Sequence, residues 1–341
     1  MKGAGMLRLL LTVIVIAAAA WSGYWYVGAT SLESAFSNWF EERRAEGWVA
    51  DYTSLKVQGY PNRLDTVATG LALADPGTGL AWEAPQFEIN ALSYQPNHVI
   101  SVWPGQQLLA TPQEKYHLSS DDMRASLVIA PDTTLQVERT ALTAESLEIR
   151  PASGKGSTAL QSLRLADEHV PMADAATYRL GLAAEGFSPS LGWRDLVDPN
   201  GTLPDRFDAL SADLTVEFDK PWDRSAIEIA RPQPQMIHLR LAEARWGRLE
   251  LQAAGEVSVD SAGQPTGEIT IKARNWREIL ELAVNAGAIP PGLAGTLRDG
   301  LSLISGMAGN PKTLDIPLGL RGGRIMLGPV PIGPAPVLRL R

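Results

Sequence analysis

Residues 249–274 read LELQAAGEVSVDSAGQPTGEITIKAR, and the alternation within this stretch decides the fold. Apolar and polar residues take turns along 249–260, and again along 266–274 after the turn residues 261–265. Successive side chains of a strand point to opposite faces, so the pattern predicts one long antiparallel hairpin with an apolar face and a wet face. The apolar face, which is also the candidate face for an apolar ligand, holds Leu249, Leu251, Val257, Val259, Ile269 and Ile271.

The residues after this hairpin predict two helices and a second hairpin. Asn275 and Glu278 have the spacing of a helix cap, and an apolar stripe at helical intervals follows through 276–286. Pro290 and Pro291 begin another helical pattern. Alternation then returns along 314–320, just before a Gly-Gly turn. We therefore expect the order β-β-α-α-β-β in the last third of the chain.

The stretch between Trp48 and the first hairpin predicts further strands. Runs of residues with a period of two are separated there by Gly, Pro and Asp, as in antiparallel meanders. The expected fold class is α+β, mainly antiparallel β with few helices, arranged as a curved sheet, a sandwich or a half-open barrel. No clean boundary divides this body, so 48–341 is treated as one β-rich domain. The predicted strands are 54–60, 65–74, 80–94, 97–103, 124–130, 134–150, 159–166, 177–187, 208–219 and 235–243.

The N-terminal region predicts one transmembrane helix ahead of that domain. Residues 9–27 carry no charge and are close to the roughly 20 residues that cross a bilayer as a helix. Lys2 and Arg8 precede this run, so the positive-inside rule places the N-terminus in the cytoplasm. Residues 1–28 then form the cytoplasmic tip and the membrane anchor. The alternative is a cleaved signal peptide, because small residues at 18–20 precede Trp21. We favour the anchor, since the apolar run continues past that position.

Two further features follow the predicted span. Four aromatic residues at its far end form a candidate interfacial belt, since amphipathic rings favour the headgroup level of a bilayer. Thr30 and Glu33 have the spacing of a capping box, which predicts a separate amphipathic juxtamembrane helix over 29–47. Its apolar stripe is expected either to pack on the domain or to lie on the outer leaflet. The belt residues are Trp21, Tyr24, Trp25 and Tyr26.

Composition and motifs exclude several classes of function. The net charge of −8 over 341 residues argues against a nucleic-acid partner, and the lack of cysteine excludes disulfides and a thiol nucleophile. The histidines stand far apart, with no spacing that joins two of them on one metal ion. We find no catalytic motif and therefore expect no catalytic, cofactor-binding or metal-binding residues, no cofactor, and no enzymatic activity. The four histidines are His98, His117, His169 and His238.

Several motifs carry a resemblance to known proteins. WSGYWYVG at 21–28, GYPNR at 59–63 and GEITIKARNWREIL at 267–280 resemble an alphaproteobacterial family known as domain of unknown function 2125. The anchor, the Gly-Tyr-Pro strand and the many amphipathic strands are also similar to AsmA-type envelope proteins, whose curved sheets are thought to carry phospholipid. The hairpin shares with those proteins a Gly-x-x-x-x-Asp-x-x-Gly-x-x-x-Gly pattern from Gly255 to Gly267.

These observations predict a single-pass protein of the bacterial inner membrane with the bulk of the chain in the periplasm. The first hypothesis is that the domain binds or transfers a lipid or another apolar ligand without catalysis. The alternative is an envelope scaffold with a closed core that docks protein partners. The expected partners are the inner membrane, a phospholipid or other apolar ligand, and envelope proteins. Whether the apolar face forms an open trough or a closed core decides between the two hypotheses.

Overall fold

The computed structural model describes residues 2–154, 156–171, 176–307 and 310–340. Its body consists mostly of antiparallel strands, as predicted. The chain from Trp48 onward, which shows no boundary in its sequence, falls into two compact units. Unit 1 runs to Leu118 and includes 123–127; unit 2 holds 119–122 and the chain from Val128 onward.

Unit 1 joins one long helix to a small antiparallel sheet. The central strand β3 pairs with β1, β2 and β4, and β4 pairs in turn with β5 and β6. These pairings place the turn after β2 and the turn after β4 at the same end of the sheet. The elements are α1 (Lys2–Ala45), β1 (Val49–Asp51), β2 (Ser54–Gln58), β3 (Arg63–Asp75), β4 (Leu80–Leu92), β5 (Gln95–Trp103) and β6 (Gln106–Ala110). The strands β7 (Lys115–Ser119) and β8 (Asp122–Ile129) have residues in both units.

Helix α1 is continuous, so the predicted start of a second helix at Thr30 is wrong. The Thr30 hydroxyl donates to the carbonyl oxygen of Tyr26, 2.9 Å away within the helix, and caps nothing. A threonine whose hydroxyl bonds the carbonyl four residues earlier is compatible with a helix interior. The capping pattern in the sequence could not reveal that hydrogen bond. The apolar stripe packs on the domain: Phe40 is buried against Ala50 and Leu55, and Phe36 lies beside this cluster.

Within its described residues, unit 2 is a meander of ten strands in which each strand pairs antiparallel with the next. Among the described residues no pairing joins the last strand to the first, so the meander is not a closed barrel. Its strands are β9 (Val137–Pro151), β10 (Thr158–Pro171), β11 (Ala176–Glu185), β12 (Ala209–Phe218), β13 (Pro234–Trp246), β14 (Leu249–Val259), β15 (Pro265–Arg274), β16 (Thr313–Arg321), β17 (Arg324–Leu327) and β18 (Val330–Pro334). Its helices are α2 (Leu191–Val197), α3 (Ser225–Glu228), α4 (Trp276–Asn285) and α5 (Pro291–Met307).

The predicted hairpins are confirmed as β14–β15 and β16–β17. In the first hairpin, Leu251 pairs with Ala273 and Gly255 with Ile269, so all six predicted apolar residues share one face. The predicted cap of α4 is wrong in detail. Asn275 has a φ of 58° and its side chain donates to the carbonyl oxygen of Arg248, while the Glu278 carboxylate accepts from the Arg248 guanidinium. Long-range contacts therefore replace the local cap.

Glycine is required at two positions where β14 and β15 approach closely. Gly255 has a φ of 158°, and a Cβ placed on it would lie 2.2 Å from the carbonyl oxygen of Glu268. Gly267, with a φ of 153°, would meet the carbonyl oxygen of Glu256 at the same distance. Asp260 accepts from the backbone N–H groups of the turn that follows, 2.9 Å away. The shared Gly and Asp pattern thus has a structural cause in this chain.

Helices α4 and α5 cover the apolar face of β15 and β16. Trp276 and Leu280 from α4 and Leu297 and Leu301 from α5 are buried with Ile316 of the sheet. Leu249, on β14, lies in a neighbouring cluster with Trp246 and Val197. This end of the face is a packed core.

Candidate functional site

The apolar face of β14 continues across the meander onto β9–β13. Register pairs Val257 with Ile237, Ile237 with Val216 and Val216 with Tyr178, so these side chains share the face. On β9, β10 and β11, the side chains of Leu142, Leu165 and Leu182 are paired in a row on this face. One apolar surface therefore extends over unit 2 from the covered helical end to β9.

The two ends of this surface differ in exposure. At the covered end, Leu249 and Val257 are 4% and 5% exposed. At the other end, Leu165 and Leu182 are 37% and 38% exposed, although they occupy equivalent positions on the face. The structure thus combines the two alternatives that the sequence left open: the face is a core beneath α4 and α5 and is open over β10 and β11.

An apolar cavity of about 640 Å³ lies on this face in unit 2. The sheet contributes one wall, and the extended segment 337–340 contributes another. This segment is held in place by hydrogen bonds: the Leu338 N–H donates to the Gly263 carbonyl, 2.8 Å away, and Gln233 bonds both backbone groups of Leu340. The apolar lining residues include Val137, Leu180, Val216, Phe218, Trp222 and Ile237.

A few polar groups also line the cavity. The Asp167 carboxylate accepts a hydrogen bond from the Thr140 hydroxyl, and burial raises its pKa above the ordinary value. The Tyr178 hydroxyl accepts from the backbone N–H of Trp222 at 3.1 Å, and burial raises its pKa as well. Arg339, on the extended segment, also lines the cavity. A largely apolar cavity with few polar groups suits an amphipathic ligand, whose polar end these groups can orient.

The opposite face of the same strands is polar. A groove of about 560 Å³ there is bordered by Arg139, Arg164, Arg179 and Arg240. Asp213 accepts from both Arg179 and Arg240, and the Arg179 guanidinium holds the pKa of that carboxyl below its ordinary value. The meander therefore has one wet face and one apolar face, which makes adjacent residues of a strand natural controls for each other.

Unit 1 has a smaller apolar cavity, of about 230 Å³, between α1 and β2–β4. Its walls include Phe40, Leu55, Ala68 and Leu71, which also form the buried core of the unit. We regard this cavity as a packing void and the larger cavity of unit 2 as the candidate site.

None of the six residues predicted for the ligand face lines the candidate cavity, although Val257 pairs in register with Ile237, which does. Leu251 and Ile271 pack on the core below α4 and α5, Leu249, Val257 and Val259 are buried, and Ile269 is half-buried. The open part of the face, on β10 and β11, was missed as a ligand site. In the sequence, the alternation of Leu163 and Leu165 with Arg164 indicated this part of the apolar face. Alternation does not show, however, which part of a face other elements cover.

The candidate interfacial belt makes contacts with the protein itself. The indole nitrogens of Trp21 and Trp25 donate to the carbonyl oxygens of Pro61 and Arg63, at 2.9 Å and 2.6 Å. The Tyr24 hydroxyl donates to the carbonyl oxygen of Ser93 at 2.7 Å. Tyr26 is 66% exposed. The motifs at 21–28 and 59–63, separate in sequence, thus meet in space.

Three of the four histidines have contacts of an ordinary structural kind. The Nε2 atom of His98 is 2.8 Å from the Ser126 hydroxyl, the His169 ring packs on Tyr178, and His238 lies between two glutamates on the polar face. Among the described residues, no group of three or more His, Asp or Glu side chains is placed to hold a metal ion.

Comparison with known proteins identifies the family. Residues 25–336 match the family described as an uncharacterized protein conserved in bacteria, domain of unknown function 2125, and the chain belongs to it. No curated protein and no solved structure matches the chain. The similarity to AsmA-type proteins and the alphaproteobacterial origin stay predictions.

Proposed function

We propose that this protein is a single-pass envelope protein that holds a lipid or another apolar ligand on the open apolar face of unit 2, without covalent catalysis. The observation that carries the proposal is the apolar cavity of about 640 Å³ beside the exposed leucines of β10 and β11. Ligand cavities commonly have volumes of about 300–1,000 Å³ and apolar walls with a few polar groups.

The exposed leucines support the same proposal. Leu165 and Leu182 are neighbours in register, and their strands continue directly into the cavity through Asp167 and Leu180. Contiguous apolar surface of this kind is unfavourable in water and typically marks a surface that a ligand or partner covers. An acyl chain lying along the strands would cover the leucines and enter the cavity, while Asp167, Thr140 and Arg339 would contact its polar end.

Helix α1 supports a location at a membrane. Residues 5–45 form a helix long and apolar enough to be a single membrane span or a signal anchor. With Lys2 and Arg8 before the apolar run, the span would leave the β-rich body outside the cytoplasm, in the periplasm of a bacterium with two membranes. Alkaline phosphatase fused to the C-terminus should then be active. An inactive fusion, or a mature chain that begins at Trp21, would refute the anchored topology.

The ligand is tested by photo-crosslinking in cells. A benzophenone amino acid replaces Leu165, on the open apolar face, or the exposed Ala166, which follows it on the polar face. We expect lipid adducts at Leu165 and none at Ala166, because the two side chains point to opposite sides of one sheet. Protein adducts in place of lipid at Leu165 would favour the scaffold alternative.

Filling the cavity provides a second measurement. Ile237→Trp places a larger side chain among the lining residues, whereas Thr215→Trp adds the same ring to the polar face of the neighbouring strand. Native mass spectrometry of the full-length protein should show lipid bound to the Thr215→Trp variant and much less on Ile237→Trp. Equal lipid occupancy in both variants would contradict the proposed cavity.

A further inference from the structure

We infer that the turn 59–63 and the neighbouring turn at 93–94 form a membrane-contact surface that lies in the headgroup layer of the outer leaflet. This inference rests on the proposed membrane span of α1, but not on the ligand. The partner is the lipid bilayer itself. The evidence is the set of contacts that fixes both turns to the side of the apolar helix.

Both turns are bonded to helix residues inside the predicted span. Trp21 and Trp25 donate to the carbonyls of Pro61 and Arg63, Tyr24 donates to Ser93, and the Ser22 and Tyr60 hydroxyls are 2.8 Å apart. The Trp25 and Tyr60 rings also meet edge to face, with centroids 5.4 Å apart. The outer end of the helix is therefore bonded directly to one end of the unit 1 sheet and is not a flexible linker.

The rise of an α-helix gives the depth of these contacts. With 1.5 Å per residue, Trp21 lies about 9 Å below Val27, the predicted outer end of the span. The headgroup layer on each side of a bilayer is only about 5–8 Å thick. If Val27 marked the edge of the hydrocarbon, the Pro61 carbonyl and the rest of this polar turn would be buried in the hydrocarbon, where backbone groups lack water.

Two opposing costs set the actual position. Raising the helix toward the outer side would remove the turn from the hydrocarbon but draw Arg8 into it from the cytoplasmic side, where its long side chain must extend back to the surface. Lowering the helix has the reverse effect. The balance leaves the turns in the interfacial layer, where aromatic rings with polar tips are favoured. The outer edge of the hydrocarbon then falls between Ala20 and Val27.

The exposed residues of the turns suit this layer. Tyr60 and Tyr94 are 58% and 63% exposed, and Tyr26 on the adjacent helix face is 66% exposed. Tyr60 and Tyr94 add to the belt predicted from the helix, to which Tyr26 already belongs. The membrane-contact surface is thus formed by the helix and two turns together, a composition that the sequence belt alone did not predict.

The lack of native cysteine makes a clean test possible. Single cysteines replace Tyr94, whose side chain has no hydrogen bond within the described residues, Ile14 in the span, and Thr78 in the turn at the far end of the β3–β4 hairpin. Each carries a nitroxide on the full-length protein in phosphatidylcholine–phosphatidylglycerol vesicles. Power-saturation electron paramagnetic resonance with oxygen and a water-soluble nickel chelate reports the depth of each label.

We expect Ile14 deep in the hydrocarbon, Tyr94 within about 5 Å of the phosphate level, and Thr78 in water. A Tyr94 label as accessible to the nickel chelate as the Thr78 label, with Ile14 still deep, would overturn the inference and leave the span intact. Water-exposed labels at all three positions would overturn the span together with the inference. Asn62→Cys, on the other turn, serves as an independent repeat of the Tyr94 measurement.

Discussion

Replacing Gly255 with alanine should disrupt the β14–β15 hairpin. The added Cβ would lie 2.2 Å from the carbonyl oxygen of Glu268 and 2.8 Å from the Cα of Ile269, both of them backbone atoms that cannot rotate away. Overpacking of this kind costs about 1–3 kcal/mol, and a non-glycine residue held in a sparsely populated backbone region costs about 1–3 kcal/mol more. The sum, about 2–6 kcal/mol, is a large part of the roughly 5–15 kcal/mol that stabilises a typical domain.

Gly181→Ala is the matched control in the same meander. Nothing lies within 4 Å of a Cβ placed on Gly181, which sits in the interior of β11. Since glycine in a strand is about 0.5–1 kcal/mol less favourable than alanine, this variant should be neutral or slightly more stable. The two substitutions add the same methyl group, but only Gly255→Ala should lower the melting temperature.

Thermal unfolding and hydrogen–deuterium exchange of the full-length protein in detergent measure both effects. In Gly255→Ala, the melting temperature should fall and amides in 249–259 and 265–274 should exchange faster than in wild type. Because the loss is local, peptides from unit 1 should keep their protection. Wild-type protection in Gly255→Ala, or equal destabilisation by Gly181→Ala, would refute the explanation of the shared glycine pattern as a backbone requirement.

Three further comparisons test the interior and the charges of unit 2. Ile271→Asp should lower the free energy of unfolding by several kcal/mol, because it places a carboxylate against the core below α4 and α5. Thr270→Asp, on the other face of the same strand, should change the free energy of unfolding by less than about 1 kcal/mol. Equal effects of the two substitutions would show that the faces are misassigned. Burial raises the pKa of Asp167, so the charged carboxylate destabilises the fold above that pKa. This destabilisation disappears below pH 3.8, the ordinary pKa of an aspartate. Asp167→Asn should therefore raise the melting temperature at neutral pH and leave it unchanged in acid. Ion pairs lower the pKa of Asp213, so its contribution is present above pH 3.8 and is lost as the pH falls through the lowered pKa. Asp213→Asn should cost about 1 kcal/mol at neutral pH, and a stabilising effect there would contradict the ion pairs with the two arginines.

The strands were predictable because their signal is local. Period-two alternation requires only that one face of a strand be buried, and Leu249, Leu251 and Ile271 display it directly. The apolar helix is equally visible from its length and lack of charge. Capping was predicted less well, since Thr30 lies within α1 and Asn275 bonds the carbonyl of Arg248 from another part of the chain. A capping pattern describes only one turn of helix and carries no information on such distant partners.

The sequence by itself determined that the body is an antiparallel sheet with one apolar face, that an apolar helix precedes it, and that the first hairpin spans both of its strands and the turn between them. Only the tertiary structure decided which part of that face is a core and which part is open. Leu251 and Leu165 have the same alternation in sequence, yet α4 and α5 lie beside the strand of one and leave the other exposed. Alternation records which side of a strand is apolar, whereas coverage depends on where distant helices pack, and that is set by contacts between residues far apart in the chain.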